Sequence, residues 1–360
     1  MGSRDHDGIW FSRTRGAEIA ALEGVIHARR CNPQVGDWLS NIKPDTADEM
    51  TKAQIREIKR SFDRATRVPG DLAQLIARTT STAQGKWAAA RADNDFPAFV
   101  PVLEEVLNLK QQEGQALAEN ADVYDTMLTD YEPGATAKKL SIMFDALRPG
   151  LVELRGRILE KDPAVKLRGP FDEPTQMKIS TLLAETYGYD LTRGRIDKAV
   201  HPFSSGSGQD VRITTRTDSQ DPFNCFYSTI HEVGHGSYEQ NIDQKYTLTA
   251  IGQGASMGVH ESQSRIYENQ LGRSRAFTIW LFNQMKQQFG DFGIRNADDF
   301  YKTVNSVSKG FIRTEADEVQ YNLHVLLRFD LERALVSGDL KVKDLEGAWN
   351  DRFYDDFGYN

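Results

Sequence analysis

Residues 226–235 read Phe226-Tyr227-Ser228-Thr229-Ile230-His231-Glu232-Val233-Gly234-His235. The first five of these residues favour an amphipathic helix that continues into the two histidines. Residues four positions apart lie one above the other on a helix, so His231 and His235 would face the same side. Because two imidazoles placed in this way can hold one ion, the stretch predicts a helical metal site.

Glu232 is offset from His231 by about 100 degrees around the helix, so it could reach water beside the metal without being a ligand. Zinc lowers the pKa of bound water to about 7, and a carboxylate can then remove its proton as the water attacks a carbonyl. The pattern therefore predicts a zinc hydrolase with Glu232 as general base. The alternative is a structural use of the same residues, with a capping histidine and a solvated glutamate. Gly234 and Gly236 are poor helix formers, and their small size would let another backbone or a substrate approach closely.

A catalytic zinc ion needs a third protein ligand and an open position for water. Glu239 lies four residues beyond His235, but its side chain would have to reach along the same helix. Glu261 stands in a new periodic segment after a glycine-containing loop, and a second helix that crosses the first could present it to the ion. We favour Glu261 on this spacing. Glu268 could share its face, and His260 is expected to pack or to support a ligand.

The rest of the chain predicts a mainly α fold, because apolar residues recur at helical spacing in many segments. One stretch differs: residues 211–215 alternate, with Val211, Ile213 and Thr215 on one side and Arg212 and Thr214 on the other. Alternation of this kind is typical of a short strand. Because it directly precedes the histidine motif, we expect a short β segment beside the active-site helix.

Composition narrows the possible classes of protein. The 360 residues carry a formal net charge of −8, which argues against a nucleic-acid partner. Two distant cysteines and the absence of a signal-peptide pattern favour a cytoplasmic protein. Since no apolar run reaches about 18 residues, no membrane span is expected. The opening residues, Met1 to Gly8, could be partly a vector remnant.

The chain resembles the Taq-type thermostable metallocarboxypeptidases, a largely helical, zincin-like family of zinc exopeptidases. The resemblance extends from about Arg15 to the end of the chain, so we expect a tail or vector remnant at 1–14 and a single helical metallopeptidase domain at 15–360. It is carried by five motifs in order: His201-Pro202-Phe203, Asp210-Val211-Arg212-Ile213-Thr214, His231 to His235, His260-Glu261-Ser262-Gln263-Ser264, and Ile312-Arg313-Thr314-Glu315-Ala316-Asp317.

The resemblance implies roles for these residues. It makes His231, His235 and Glu261 the metal ligands and Glu232 the general base. The metal would be Zn²⁺, although Co²⁺ or Mn²⁺ would accept similar ligands.

The remaining motifs imply contacts with the substrate, a peptide with a free C-terminus. Asp210, Arg212 and Thr214 would line the cleft, and Arg212 is a candidate catalytic residue. Arg313 would bind the terminal carboxylate, because a guanidinium can donate two parallel hydrogen bonds; its alternative is an ion pair with a nearby acidic residue. His201 would either polarise the scissile carbonyl or shape a turn.

The sequence also departs from the family pattern. An N-terminal segment and a C-terminal region with a Gln-Asp-x-His-Trp motif have no counterpart in the 360 residues. We therefore expect a metallocarboxypeptidase whose activity is impaired, or one completed by another chain; a homodimer is a further possibility. The alternatives are a helical scaffold that binds metal or peptide with little or no turnover, and an oligopeptidase of the same metal class.

Overall fold

The structure is a computed structural model that describes residues 9–43 and 47–359. Of the predicted tail, residues 1–8 lie outside the described residues, and residues 9–14 begin the first helix. The described part is mainly helical, which confirms the predicted fold class. Within residues 9–43 and 47–359, no helix combines the length and apolar character that a bilayer crossing requires.

The chain divides into two compact units, Met1–Arg148 with Val325–Asn360, and Pro149–His324. The single domain predicted for residues 15–360 stays a prediction, because compactness does not establish which parts of a chain fold independently. The first unit is helical, and α1 packs against α4, which also packs against α5. Its helices are α1 (Ile9–Arg30), α2 (Pro33–Asn41), α3 (Glu49–Arg67), α4 (Gly70–Ala92), α5 (Phe96–Ala118), α6 (Val123–Leu128), the first part of α7 (Ala137–Leu159), the last part of α13 (Glu318–Ser337) and α14 (Leu345–Phe357).

The second unit contains all of the predicted site residues. Its elements, besides the remaining parts of α7 and α13, are α8 (Glu173–Thr186), β1 (Ile196–Lys198), β2 (Ser204–Ser207), β3 (Asp210–Thr215), α9 (Pro222–Gln240), α10 (Met257–Arg265), α11 (Arg275–Phe289) and α12 (Ala297–Val304). A π-helical segment, Ile266–Leu271, follows α10 directly. The main apolar cluster includes Ile179 and Leu183 of α8, Phe226 and Ile230 of α9, and Leu281 and Met285 of α11.

Helix α9 packs against α8, α10 and strands β2 and β3, and it carries the histidine motif. It begins after Asp221, whose side chain accepts a hydrogen bond from the backbone N–H of Phe223 and so caps the first turn. Phe226, Ile230 and Val233 are fully buried and recur at helical spacing. Burial of this apolar face holds α9 in place and leaves His231 and His235 on a partly accessible face.

A three-stranded sheet lies beside α9, as the alternating segment predicts. The strand order is β1-β3-β2, with β3 parallel to β1 and antiparallel to β2. Val211, Ile213 and Thr215 of β3 are completely buried, and Ile213 packs in a cluster with Val233 of α9. Thr214, on the other side of the strand, is also buried.

The two glycines of α9 are sites of close approach. A side chain at Gly234 would put Cβ 2.6 Å from Cα of Ser264, so α10 can cross here only over a glycine. At Gly236 the added Cβ would lie 2.8 Å from the ring of Tyr189. The expectation that another backbone approaches one of these glycines is therefore confirmed at Gly234, and this contact brings α10 onto the histidine motif.

Candidate metal centre

The imidazoles of His231 and His235 stand side by side on α9. Their ring centroids are 4.9 Å apart, and their side chains are 19% and 15% exposed. Positions four residues apart on one helix impose this arrangement, because the side chains lie on successive turns of one face.

Glu261 approaches the pair from α10. Its Oε2 atom lies 3.3 Å from Nε2 of His235 and 3.7 Å from Nε2 of His231. Ligand atoms bound at about 2.1 Å to a tetrahedral ion are separated by about 3.4 Å, so these separations suit ligands of a single ion. Within the described ranges, His231, His235 and Glu261 form the one group of at least three such side chains with ligand atoms close enough to share a metal.

Glu268 supports His231 from the side away from Glu261. The Nδ1–H group of His231 donates to Oε2 of Glu268 over 2.8 Å, and Arg265 donates to the same oxygen over 2.9 Å. Burial alone would raise the pKa of Glu268, but the hydrogen bond with His231 and the charge of Arg265 lower it on balance. Glu268 is therefore held as a carboxylate that orients an imidazole.

His235 has a different kind of partner. Its Nδ1 atom lies 2.7 Å from Nδ1 of His260, and Nε2 of His260 lies 2.9 Å from Oε1 of Glu239. Glu239, the alternative third ligand, thus contacts His260 and is not part of the three-residue group. His260 occupies the supporting position that the sequence suggested for it.

Glu232 lines a cavity of about 860 Å³, together with His231 and Glu261. Its side chain is largely buried, and burial together with the nearby carboxylates of Glu261 and Glu268 raises the pKa of Glu232 to about 7, against the opposing charge of His231. A carboxyl group with such a pKa can both accept and release a proton near neutral pH.

Two of the other predicted residues also line this cavity. His201 belongs to its wall, and Arg313, also in the wall, lies in a short 3₁₀ turn, Arg313–Glu315, before α13. The guanidinium of Arg313 donates to the hydroxyl of Tyr321 and lies over the same ring at 5.1 Å from its centroid. Arg265 lies over the ring of Tyr321 as well, at 3.8 Å. The cavity thus contains cationic groups that could bind a carboxylate.

The remaining three predicted residues are placed elsewhere. Asp210 and Arg212 pair with each other through two hydrogen bonds of 2.8 Å on the exposed side of β3. The hydroxyl of Thr214 accepts a hydrogen bond from the backbone N–H of Phe203 over 2.8 Å. None of the three is among the described residues that line the cavity, so their roles in the site stay predictions.

Sequence reasoning missed several residues of the cavity wall: Arg216, Asp221, Arg265, Arg273 and Tyr321. A signal existed for Arg265, which lies four residues after Glu261 and donates to it over 3.1 Å. Arg273 and Tyr321 come from separate segments, so helical spacing around the motif could not identify them.

Comparison with known proteins gives a consistent result. Residues 11–360 match the family model described as carboxypeptidase Taq (M32) metallopeptidase. The chain is 37% identical to thermostable carboxypeptidase 1 of Thermus thermophilus, over 96% of this chain and 71% of the relative.

Solved structures agree in fold over nearly the whole chain. Metallocarboxypeptidase 1 of Trypanosoma cruzi superposes with a TM-score of 0.91 at 30% identity, covering 99% of this chain and 73% of the other. The M32 carboxypeptidase of Deinococcus radiodurans gives a TM-score of 0.86 at 36% identity, covering 94% of this chain and 69% of the other.

Proposed function

Because this chain belongs to the carboxypeptidase Taq (M32) metallopeptidase family and is thereby a metallocarboxypeptidase, we propose that it holds Zn²⁺ with His231, His235 and Glu261. The observation that carries this proposal is the convergence of these three side chains beside Glu232. Two imidazoles and one carboxylate form a typical catalytic zinc set that leaves a position open. Co²⁺ and Mn²⁺ suit the same donor types, so they are the ions to compare.

Glu232 is the general base of the proposed reaction. The ion, when bound, supplies Lewis acidity that polarises the scissile carbonyl and makes water more acidic. Glu232 accepts the proton of the attacking water and then donates it to the nitrogen of the departing amino acid. Its largely buried position on the cavity wall, directly after His231 in α9, supports this role. The peptide bond breaks, and one C-terminal amino acid leaves.

Arg313 binds the free carboxylate of the substrate in this proposal. Its contacts with Tyr321 hold the guanidinium plane at the cavity wall, where it can pair with a carboxylate through parallel hydrogen bonds. His201, which also lines the cavity, contacts the substrate beside the scissile bond in this proposal. The family relationship favours this enzymatic function over the inactive scaffold, because the relatives are named as carboxypeptidases.

The test compares one peptide as a free acid and as a C-terminal amide, with Zn²⁺-loaded protein. We expect the free acid to lose single residues and the amide to be resistant. Glu232→Gln should retain Zn²⁺ and lose at least about 100-fold in kcat, since general base catalysis supplies about 10²–10⁴-fold. Glu185→Gln, an exposed change on α8, is the matched control and should be fully active. Equal turnover of acid and amide, or an active Glu232→Gln variant, would contradict the proposal.

A further inference from the structure

His235 is the first of three side chains linked by hydrogen bonds, followed by His260 and Glu239, on the side of its ring away from Glu261. Nδ1 of His235 is 2.7 Å from Nδ1 of His260, and Nε2 of His260 is 2.9 Å from a carboxylate oxygen of Glu239. These three side chains are between 15% and 17% exposed. Mostly buried polar groups of this kind need their hydrogen bonds satisfied by one another.

Which nitrogen carries the proton in each of the two imidazoles follows from the donors and acceptors available. A neutral imidazole carries one N–H group and one acceptor nitrogen, whereas a carboxylate only accepts. With His260 neutral, Glu239 therefore takes its Nε2–H, which leaves Nδ1 of His260 as an acceptor. His235 must then donate its own Nδ1–H group, and the lone pair on its Nε2 atom, 3.3 Å from Oε2 of Glu261, is left for an ion that both side chains share.

We propose that Glu239, acting through His260, is a positioning residue that sets the tautomer of His235 and so makes its Nε2 atom available to the metal. This inference rests on the proposed metal site and adds two residues to it. With the opposite arrangement, Nδ1 of His260 would carry the proton, and Nδ1 of His235 would have to accept a hydrogen bond from it. Nε2 of His235 would then be protonated and unable to bind an ion.

His260 is held firmly enough to transmit this effect. It precedes Glu261 in α10, so consecutive residues contact His235 on its two sides. The ring of Tyr238 lies against His260 with centroids 4.7 Å apart. On another side, Gly254 leaves no space: a Cβ atom there would lie 2.8 Å from Cδ2 of His260. The ring therefore has little freedom to turn away from His235.

The two metal-binding histidines are thus oriented by different groups. His231 donates directly to the carboxylate of Glu268, whereas His235 reaches a carboxylate only through a second imidazole. A carboxylate can only accept, so the direction of the hydrogen bond from His231 is fixed. An imidazole can exchange its donor and acceptor nitrogens, so the hydrogen bond between His235 and His260 needs a third group to fix its direction.

The first experiment compares Glu239→Leu with Glu239→Gln. Leucine removes the acceptor, so His260 can carry its proton on Nδ1. That proton would then compete with the proton on Nδ1 of His235 for the same hydrogen bond. We expect the Zn²⁺ affinity, measured by competition with a chromophoric chelator, to fall about 10–100-fold, the usual effect of losing such a supporting partner. Glutamine retains an acceptor oxygen of similar reach, and its loss should stay below about tenfold.

A second pair of variants separates hydrogen bonding from packing. The amide oxygen of His260→Asn can accept from Nδ1 of His235, whereas His260→Leu cannot, so asparagine should restore much of the Zn²⁺ affinity. Nitrogen NMR shifts of the histidine side chains in the metal-free protein report the tautomer directly. We expect His235 protonated at Nδ1 in the unchanged protein and a mixture or reversal in Glu239→Leu. Metal-free melting temperatures identify any variant that fails to fold.

Unchanged Zn²⁺ affinity in both leucine variants would overturn the inference, as would a His235 tautomer that does not respond to Glu239→Leu. His231→Ala and Glu261→Ala distinguish this result from failure of the metal site itself. If those two variants lose Zn²⁺ while the leucine variants retain it, only the role of Glu239 and His260 is wrong. If they too retain Zn²⁺, the proposed site is wrong.

Discussion

Nδ1 of His231 lies 2.8 Å from Oε2 of Glu268, and this carboxylate belongs to the π-helical segment that follows α10, the helix of Glu261. Arg265 donates to the same oxygen, and Arg273 lies 3.9 Å from the other. Glu268 therefore joins His231 to two cations of the cavity wall. Its loss would disturb both the orientation of His231 and the balance of buried charge.

We expect Glu268→Ala to weaken Zn²⁺ binding about 10–100-fold, because His231 loses the acceptor that orients its ring. Glu268→Gln preserves an acceptor oxygen and should lose less. Chelator competition measures both affinities. Equal Zn²⁺ affinity in Glu268→Ala and the unchanged protein would show that His231 needs no such partner.

The crossing of α9 and α10 depends on Gly234. In Gly234→Ala, the new Cβ would meet the backbone of Ser264 at 2.6 Å, so α10 and Glu261 must move. We expect the free energy of unfolding to fall by about 1–3 kcal/mol, as for other overpacked positions, and Zn²⁺ affinity to fall with it. Urea unfolding followed by circular dichroism measures the first effect.

Gly347→Ala is the matched control for this change. Gly347 lies within α14, and a Cβ atom there would meet nothing within 4 Å. Alanine should therefore stabilise the helix by up to about 1 kcal/mol. If Gly234→Ala is as stable as the parent, the close approach of the two helices does not constrain this position.

Arg313 should determine how strongly the enzyme prefers a free C-terminus. We expect Arg313→Ala to lower kcat/KM for a free-acid peptide about 10–100-fold, since hydrogen bonds to charged groups contribute about 1.5–3 kcal/mol. Arg313→Lys should recover part of this loss, because an ammonium retains the charge without the planar pair of donors. Arg275→Ala, which removes an exposed ion pair with Asp298, is the control. A free-acid preference that survives in Arg313→Ala would assign carboxylate binding to another residue.

In the first unit, the ion pairs of Glu113 with Lys110 and Arg64 predict that the free energy of unfolding depends on pH. Burial raises the pKa of Glu113, but its hydrogen bonds with Lys110 at 2.7 Å and Arg64 at 2.9 Å oppose this and lower the pKa on balance. A carboxyl whose folded-state pKa is lowered stabilises the protein above its unfolded pKa of about 4.3. That stabilisation is lost as the pH falls through the lowered value.

We therefore expect Glu113→Gln to destabilise the protein by about 1–3 kcal/mol at pH 7 and by progressively less at acid pH. Urea unfolding at several pH values measures the difference. Glu104→Gln, an exposed change on the same helix, should show little effect at any pH. A destabilisation that does not change with pH would show that Glu113 contributes by packing rather than by charge.

The local periodicities of the sequence were sufficient for much of the second unit. The spacing of His231 and His235 placed both imidazoles on one face, and alternation grouped Val211 and Ile213 on one side of β3, which the structure shows to be buried. These features depend only on the geometry of a helix or strand, which repeats every few residues. For the same reason, the sequence alone could indicate a metal site, a nearby base and a mainly helical fold.

The tertiary structure decided what the glutamates around the histidines contact. Spacing allowed Glu239, Glu261 and Glu268 as ligands, but only Glu261 joins the two Nε2 atoms, while the other two support the imidazoles from behind. Their distances to the histidines depend on where α10 crosses α9, and this crossing is set by backbone contact at Gly234. The hydrogen bond that the hydroxyl of Thr214 accepts likewise depends on a separate segment, at Phe203. Contacts between separate elements are determined by packing, which short-range sequence patterns do not encode.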